Sequence, residues 1–308
     1  MIWGDNQTND CLPFFCEKKS QAVMAPRFNY DVREFQEHIL GLLDVIDDVC
    51  RKHGLKYYMV GGTMLGAIRH KGFIPWDDDL DVAMPRKDYD LLVEHYREWL
   101  PERYSILSPE TNPDYSRHFG KLEDRQTTLI ERFHLKRLGG VYLDIFPLDD
   151  VPDNRLKRWI QYRRFSFYDK MLYFAYRDPH KHGSGVSSWL LTIFQRNASR
   201  EWLHRRMKRV LTLYNGSKNC SCCMAHGGGY CAIPKAVYGT PVGYQFETGS
   251  YWGPSDAQAY LTLVFGKDYM TPPPPGKRWS HNYHYCDYEH GYESADFDEL
   301  KRIYDKKK

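Results

Sequence analysis

Tyr57–Pro85 reads YYMVGGTMLGAIRHKGFIPWDDDLDVAMP, a glycine turn joined within one short unit to a dense acidic cluster. The residues before Gly61, Gly62 and Thr63 are apolar and aromatic, so the turn is expected to end a buried strand. A short helix, Thr63–Lys71, should follow and stop at Gly72. Asp77, Asp78, Asp79 and Asp81 then lead into Leu80, Val82 and Met84, the alternation of a second strand. Alternate strand residues share a face, which places Asp77, Asp79 and Asp81 together. Carboxylates this close repel one another unless a cation lies among them. Hard oxygen donors suit Mg²⁺ or Mn²⁺. Backbone N–H groups at a glycine turn can approach phosphate oxygens, and Thr63 adds a hydroxyl. Arg69, His70 and Lys71 supply positive charge for a leaving nucleotide. An acidic surface loop is the ordinary alternative, but such loops rarely end in an alternating apolar strand.

The segment GGTMLGAIRHKGFIPWDDDLDVAM closely resembles the signature of the LicD family, which includes the fukutin-type proteins. The resemblance extends from about Arg33 to Pro152. It returns near Tyr260–Arg278 in LTLVFGKDYMTPPPPGKR, and residues 155–250 do not align. It implies a nucleotidyltransferase-like core with a Gly-Gly-Ser/Thr turn and an Asp-x-Asp strand. It also implies transfer of a phosphorylated alcohol from a CDP-linked donor to a glycan, usually phosphocholine from CDP-choline in bacterial members.

The family reading needs a third carboxylate on a neighbouring strand. GVYLDIFPLDDVP, Gly140–Pro152, alternates like a strand and sets Asp144 on a largely aromatic face. Burying an unpaired carboxylate there is unfavourable, and a shared metal removes the penalty. The family pattern also has an Asp here, so Asp144 takes the third-ligand role by resemblance. Asp149 and Asp150 are expected in the following turn with Pro152. The Asp-x-Asp pair is Asp77/Asp79 or Asp79/Asp81. Asp79 and Asp81 are favoured because they flank Leu80 and enter the strand, leaving Asp77 to support them or hold a second metal. Lys121 is assigned a phosphate contact, since the family carries a basic residue nearby; a surface lysine is the alternative. In RWSHNYHYCDYEHGY, His281 or His284 could serve as general base. Trp279 and Tyr283 could form part of an aromatic box for choline.

Composition agrees with a globular enzyme. The chain has 308 residues, 42% of them hydrophobic and 15% aromatic, with a net charge of +3. No stretch approaches the ~18 apolar residues of a membrane span. The N-terminus lacks a basic start, so the expected setting is a bacterial cytoplasm, peripheral to the inner membrane face. Arg155–Arg209 holds fourteen Lys/Arg against three Asp/Glu, with Trp, Phe and Tyr among them. Such helices can lie on an anionic membrane or grip a phosphate-rich substrate; a nucleic-acid partner is not expected. Asn154 and Ser199 are the expected caps. Cys220, Cys222, Cys223 and Cys231 could bind structural zinc. Their spacing departs from paired C-x-x-C knuckles, and free thiols are the alternative.

The expected fold is α+β, a nucleotidyltransferase-like mixed sheet flanked by helices with a mainly helical second lobe. The expected divisions are an extension at 1–29, the catalytic core at 30–152, a basic helical lobe with the Cys-rich loop at 153–250, and a segment at 251–308 packing back on the core. Rival functions are transfer of CDP-linked ethanolamine, glycerol or ribitol, a nucleotidyltransferase releasing pyrophosphate, and a basic-aromatic membrane or glycan binding module.

Overall fold

The computed structural model describes residues 30–176, 186–225, 231–278 and 280–306. The extension at 1–29 and Trp279 lie outside them.

Helix α1 (Val32–His53) begins where the Asp31 carboxylate accepts the N–H groups of Arg33 and Glu34, and ends at Gly54 with φ 67°. Only a residue tolerant of the left-handed region closes a helix this way. Phe35, Ile39, Leu42, Leu43 and Ile46 recur at helical spacing and are almost wholly buried. They cover the sheet, as their periodicity predicts.

The chain continues through β1 (Tyr58–Met59), α2 (Gly61–Arg69), β2 (Asp81–Pro85), α3 (Arg86–Trp99), β3 (Tyr104–Leu107), β4 (Gly120–Asp124), β5 (Thr128–Ile130) and β6 (Tyr142–Val151). The sheet order is β1-β2-β6-β4-β3. Strands β2 and β6 run parallel, while β1–β2, β6–β4 and β4–β3 are antiparallel, so the sheet is mixed as expected. Two details differ from the sequence reading. The glycines do not precede the helix but form its first turn, with α2 starting at Gly61. Asp149 and Asp150 lie within the long strand β6 rather than in a turn. Asp149 is fully buried and receives a bidentate pair from Arg86, at 2.8 and 2.6 Å. An alternating strand is not broken by a polar residue whose charge is fully partnered.

The second lobe consists of α4 (Arg155–Tyr176), α5 (Val186–Asn197) and α6 (Arg200–Leu211). Both expected caps are present: Asn154 accepts the Lys157 N–H at 3.0 Å, and Ser199 accepts the Trp202 N–H at 3.1 Å. Phe165, Leu172, Leu203, Met207 and Val210 form a separate small core between α4 and α6.

The helical lobe ends well before residue 250. Strand β7 (Cys222–Ala225) pairs with the far half of β6, and β8 (Ile233–Pro234) pairs with β7. After α7 (Lys235–Tyr238), the hairpin of β9 (Val242–Phe246) and β10 (Gly249–Gly253) packs against α2 and β1. Helix α8 (Ala257–Phe265) is capped by Asp256, while the neighbouring Ser255 turns its hydroxyl to the Ala236 and Val237 carbonyls. Strand β11 (Tyr285–Asp287) pairs with β5, and α9 (Phe297–Lys306) packs Tyr304 against Phe133. The C-terminal segment therefore does return to the core.

Cys231 is disulfide-bonded, whereas Cys220, Cys222 and Cys223 are free thiols. A sulfur committed to a disulfide cannot serve as a thiolate ligand, so the four-cysteine zinc arrangement is not formed. The alternative of free thiols holds for Cys220, Cys222 and Cys223 and fails at Cys231. No helix among the described residues is long and apolar enough to cross a membrane.

Candidate active site

The parallel pairing of β2 with β6 sets Asp81 directly opposite Asp144. The antiparallel pairing of β6 with β4 then sets Lys121 on the other side of Asp144. Register alone thus lines up Asp81, Asp144 and Lys121 across adjacent strands, with side chains on one face. Asp79 lies just ahead of β2. Its backbone segment is held to β6 by the Asp144 N–H, which donates to the Leu80 carbonyl at 3.0 Å.

Helix α2 starts against these carboxylates. Gly61 has φ 55°, in the left-handed region where glycine is favoured. A Cβ on Gly61 would sit 3.1 Å from Asp81 Oδ2, and one on Gly62 would sit 2.7 Å from Asp77 Oδ2. The two glycines therefore make room for carboxylates packed against backbone. Thr63 Oγ1 accepts the Asp81 N–H at 2.8 Å, so this hydroxyl joins helix to strand instead of facing a ligand. The Gly61 N–H donates to the Tyr260 hydroxyl at 3.0 Å. Tyr260 carries no legible signal in the sequence; it comes from α8, 199 residues away.

The electrostatics are those of crowded acids. Burial first, then repulsion from neighbouring carboxylates, pushes Asp79 and Asp81 well above the ordinary carboxylate range. Burial also raises Asp144, against the pull of Lys121. Asp77 is raised from 3.8 to about 7, chiefly by burial. Asp144 Oδ1 is buried without a hydrogen bond, and Lys121 Nζ stands 3.6 Å away, beyond hydrogen-bond reach. Yet Asp79 and Asp144 keep 23% and 17% side-chain exposure, so these acids remain partly open to solvent.

Lys121 is not a surface residue. It is 3% exposed, its Nζ donates to Glu131 at 2.8 Å, and it lies over the Tyr142 ring at 3.1 Å. Burial would raise Glu131, but Lys121 and Arg137 hold it down at about 2. The lysine is thus a fixed, partly neutralised cation beside Asp144. Arg69, at the end of α2, donates to the Tyr269 carbonyl at 2.9 Å, and Asp77 lies within its electrostatic reach.

Of the C-terminal candidates among the described residues, His281 is the one whose side chain reaches the acids. Its Nδ1 lies 3.0 Å from Asp78 Oδ1, and its Nε2 lies 3.6 Å from Asp79 Oδ2. Burial would lower its pKa, but the Asp78 hydrogen bond and the Asp79 charge raise it overall. Arg132 clamps the same segment by donating to the His281 and Asn282 carbonyls. His284 belongs elsewhere: it accepts the Phe133 N–H at 3.2 Å and stacks on Tyr304. Tyr283 is buried between Phe35 and Tyr142, with its hydroxyl on the Asp78 carbonyl at 3.3 Å, so it walls the core and does not face a choline. Asp78 alternates to the opposite side from Asp77 and Asp79 and is fully buried. It accepts from the Tyr30 hydroxyl at 2.6 Å, the Ser280 hydroxyl at 3.0 Å and the His281 N–H at 2.8 Å.

No group of three or more His, Cys, Asp or Glu side chains among the described residues is arranged to hold a metal ion as it stands. The donor chemistry nevertheless fits a hard divalent cation. The acids are all-oxygen ligands, they repel one another, and one buried oxygen of Asp144 is unsatisfied. This fit has a thermodynamic consequence. Between 3.8 and about 7 the folded state keeps a proton on Asp77 that the unfolded chain has released. Stability therefore falls as pH rises through that window. His281 adds the same sign, since a raised imidazole stabilises at low pH and loses that contribution as pH climbs through its folded value. In chelator, Tm should decline over this range less steeply for Asp77→Asn than for the native chain. Adding Mg²⁺ at pH 8 should raise Tm for the native chain. A thermal scan insensitive to Mg²⁺ at pH 8 would count against cation binding.

A family model described as LicD/FKTN/FKRP, nucleotidyltransferase domain, matches residues 54–177. The chain is 28% identical over 270 residues to "Lipopolysaccharide cholinephosphotransferase LicD" of Haemophilus influenzae, covering 82% of this chain and 96% of that protein. It is also 35% identical over 57 residues to "Ribitol 5-phosphate transferase FKRP" of Homo sapiens, covering 18% of this chain and 10% of that protein. The matched domain spans the glycine turn, the acidic strand and Asp144. Residues 54–177 thus match the nucleotidyltransferase domain of the LicD family, and the chain is similar to a LicD protein over most of its length.

Proposed function

We propose that this protein transfers a phosphorylated alcohol, phosphocholine foremost, from a CDP-linked donor to a hydroxyl of a cell-surface glycan or glycolipid, with Mg²⁺ and release of CMP. The observation that carries the reading is the register pairing of Asp81 with Asp144, with Asp79 alongside, at the glycine-lined start of α2. Carboxylates and a half-buried helix N-terminus side by side suit a diphosphate and a divalent cation together. The relatives support the group transferred: one is named for choline phosphate on lipopolysaccharide, the other for ribitol 5-phosphate.

Asp79, Asp81 and Asp144 would hold the cation, with Asp77 behind them. The bound cation would neutralise charge on the transferring phosphoryl group and orient it for in-line attack. The N–H groups of Gly62 and Thr63, in the first turn of α2, have no acceptor within the helix and suit phosphate oxygens. That of Gly61 already serves Tyr260. Lys121 balances Asp144, and Arg69 adds positive charge near Asp77. His281 is the candidate for proton transfer, with Nδ1 fixed by Asp78 so that Nε2 faces the acids. Its pKa is raised by anionic neighbours, and a cation among them would return it toward the range of a base. The cytoplasmic setting is part of the same proposal.

CMP should form when the protein meets CDP-choline, Mg²⁺ and a lipopolysaccharide or glycolipid extract, and radiolabelled choline should appear in the glycan. CMP from CDP-ribitol, but not from CDP-choline, would reassign the head group. Release of pyrophosphate from a nucleoside triphosphate would instead mark a nucleotidyltransferase and overturn the proposal.

A further inference from the structure

Eleven of the sixteen large apolar side chains most exposed among the described residues fall between Leu156 and Leu213. They follow a pattern. On α4, Leu156, Ile160, Phe167 and Phe174 are spaced by multiples of helical turns and all point away from the lobe's core. The opposite face, Arg158, Gln161, Phe165, Leu172 and Ala175, is the one packed inward. Helix α4 is therefore apolar on both sides, although the lobe needs only one. Helix α5 repeats the feature with Trp189, Leu190 and Ile193, exposed by 62%, 56% and 41%.

The charges between these residues are predominantly positive; the exposed acids are Asp169 on α4 and Glu201 on α6, the latter paired with Arg205. Lys157, Arg163, Arg164 and Lys170 are exposed along α4 among the outward apolar residues, against the single acid Asp169. Arg196 ends α5, and Arg205, Arg206 and Arg209 are exposed on α6 beside Trp202. Arg163 and Arg206 lie over the rings of Trp159 and Trp202, at 5.9 and 5.2 Å. Ordinary solvated helices mix both signs and expose few aromatics. Exposed Trp, Phe and Leu bordered by Lys and Arg is the composition of a helix lying in the plane of an anionic bilayer. At 22 residues, α4 would run about 33 Å along such a surface.

We propose that the outward faces of α4 and α5 form a docking surface for an anionic lipid bilayer, with Leu156, Ile160, Phe167, Trp189 and Leu190 entering the headgroup boundary and the flanking Lys and Arg meeting lipid phosphates. Charge complementarity selects this occupant. A second copy would bring the same positive charge to this face, and an acidic partner would meet the charge but would not require exposed rings and aliphatic tips bordered by cations. The inference does not depend on the chemistry assigned above. It concerns where the protein works, and its readout is binding rather than turnover.

The test is flotation of the full chain with vesicles of phosphatidylcholine alone and of phosphatidylcholine mixed with phosphatidylglycerol. The protein should float with the anionic vesicles only, and less so as salt rises. Phe167→Ser combined with Trp189→Ser should weaken binding at least about tenfold, and Arg163→Glu with Lys170→Glu should do the same. Both pairs are exposed, so circular dichroism and Tm should stay native. Three results overturn the proposal: no flotation with anionic vesicles, equal flotation with neutral ones, or variants that bind as well as the native chain. A sedimentation-velocity dimer abolished by Phe167→Ser and Trp189→Ser would instead mark the surface as a contact between copies.

Discussion

Asp81→Asn should lower CMP release from CDP-choline by about a thousandfold or more, while leaving the apo protein as stable as the native chain or more stable. Asparagine keeps the shape and the Thr63 contact, which is made by the Asp81 backbone N–H and not by its side chain. What it removes is one negative charge from a cluster in which Asp79, Asp144 and Asp77 all raise Asp81. Loss of a metal carboxylate in phosphoryl transfer forfeits several kcal/mol of charge stabilisation in the transition state. In the absence of cation, the same loss relieves repulsion that a folded carboxylate cluster otherwise bears. The two effects have opposite signs, which separates catalytic from structural failure. Thermal denaturation in chelator, paired with initial rates in Mg²⁺, reads both. A variant that turns over at near-native rate would sink the site assignment, and a variant that is both inactive and unfolded would show Asp81 to be structural.

Asp149→Ala should destabilise the fold by about 3–5 kcal/mol without touching the chemistry. Asp149 is wholly buried, receives both arms of Arg86, and also accepts from the Asn215 side chain at 2.8 Å. It therefore fastens α3 and the end of the helical lobe to the sheet through one carboxylate. Removing it leaves a guanidinium, itself only 9% exposed, with the more exposed Asp90, 3.7 Å away, in place of its buried bidentate partner. Replacing both partners, Arg86→Met with Asp149→Leu, should recover most of that loss, since an apolar pair of similar volume carries no desolvation penalty. Urea denaturation of the two variants measures the difference. A single variant within about 1 kcal/mol of the native chain would show that water reaches the pair, contrary to its burial.

How much of this was legible in the sequence follows from the range of each interaction. Asp79, Asp81 and Asp144 could be found because strand alternation is local, and because acids among apolar residues are improbable without a task. The pairing of Asp81 with Asp144 was not legible. Register depends on which strands become neighbours, and a one-residue slip would turn every side chain over. Asp149 was misread because an acid before proline signals a turn, and its partner Arg86 lies 63 positions earlier. Lys121 was placed near phosphate, but its pairing with Glu131 requires the fold of β4 and β5. The aromatic, histidine-rich stretch after the prolines looked uniform in sequence. The chain turns at Asn282, with φ 49°, leaving His281 with the acids, while the His284 N–H donates to the Ile130 carbonyl and its ring stacks on Tyr304 of α9.

Asp78 joins parts of the chain that are made at very different times. Its carboxylate is satisfied by Tyr30, ahead of α1, and by Ser280 and His281, about 200 positions further on. A polypeptide emerging from the ribosome would possess Tyr30, the glycine turn, the acidic strand and Asp144 while Ser280 and His281 were still missing. Packing that aspartate then would leave an ionised oxygen in the interior, so the acidic turn cannot settle until the distal segment arrives. Catalytic competence is in this sense a proof of completed synthesis: a chain released early would keep every acid of the site and still lack the site.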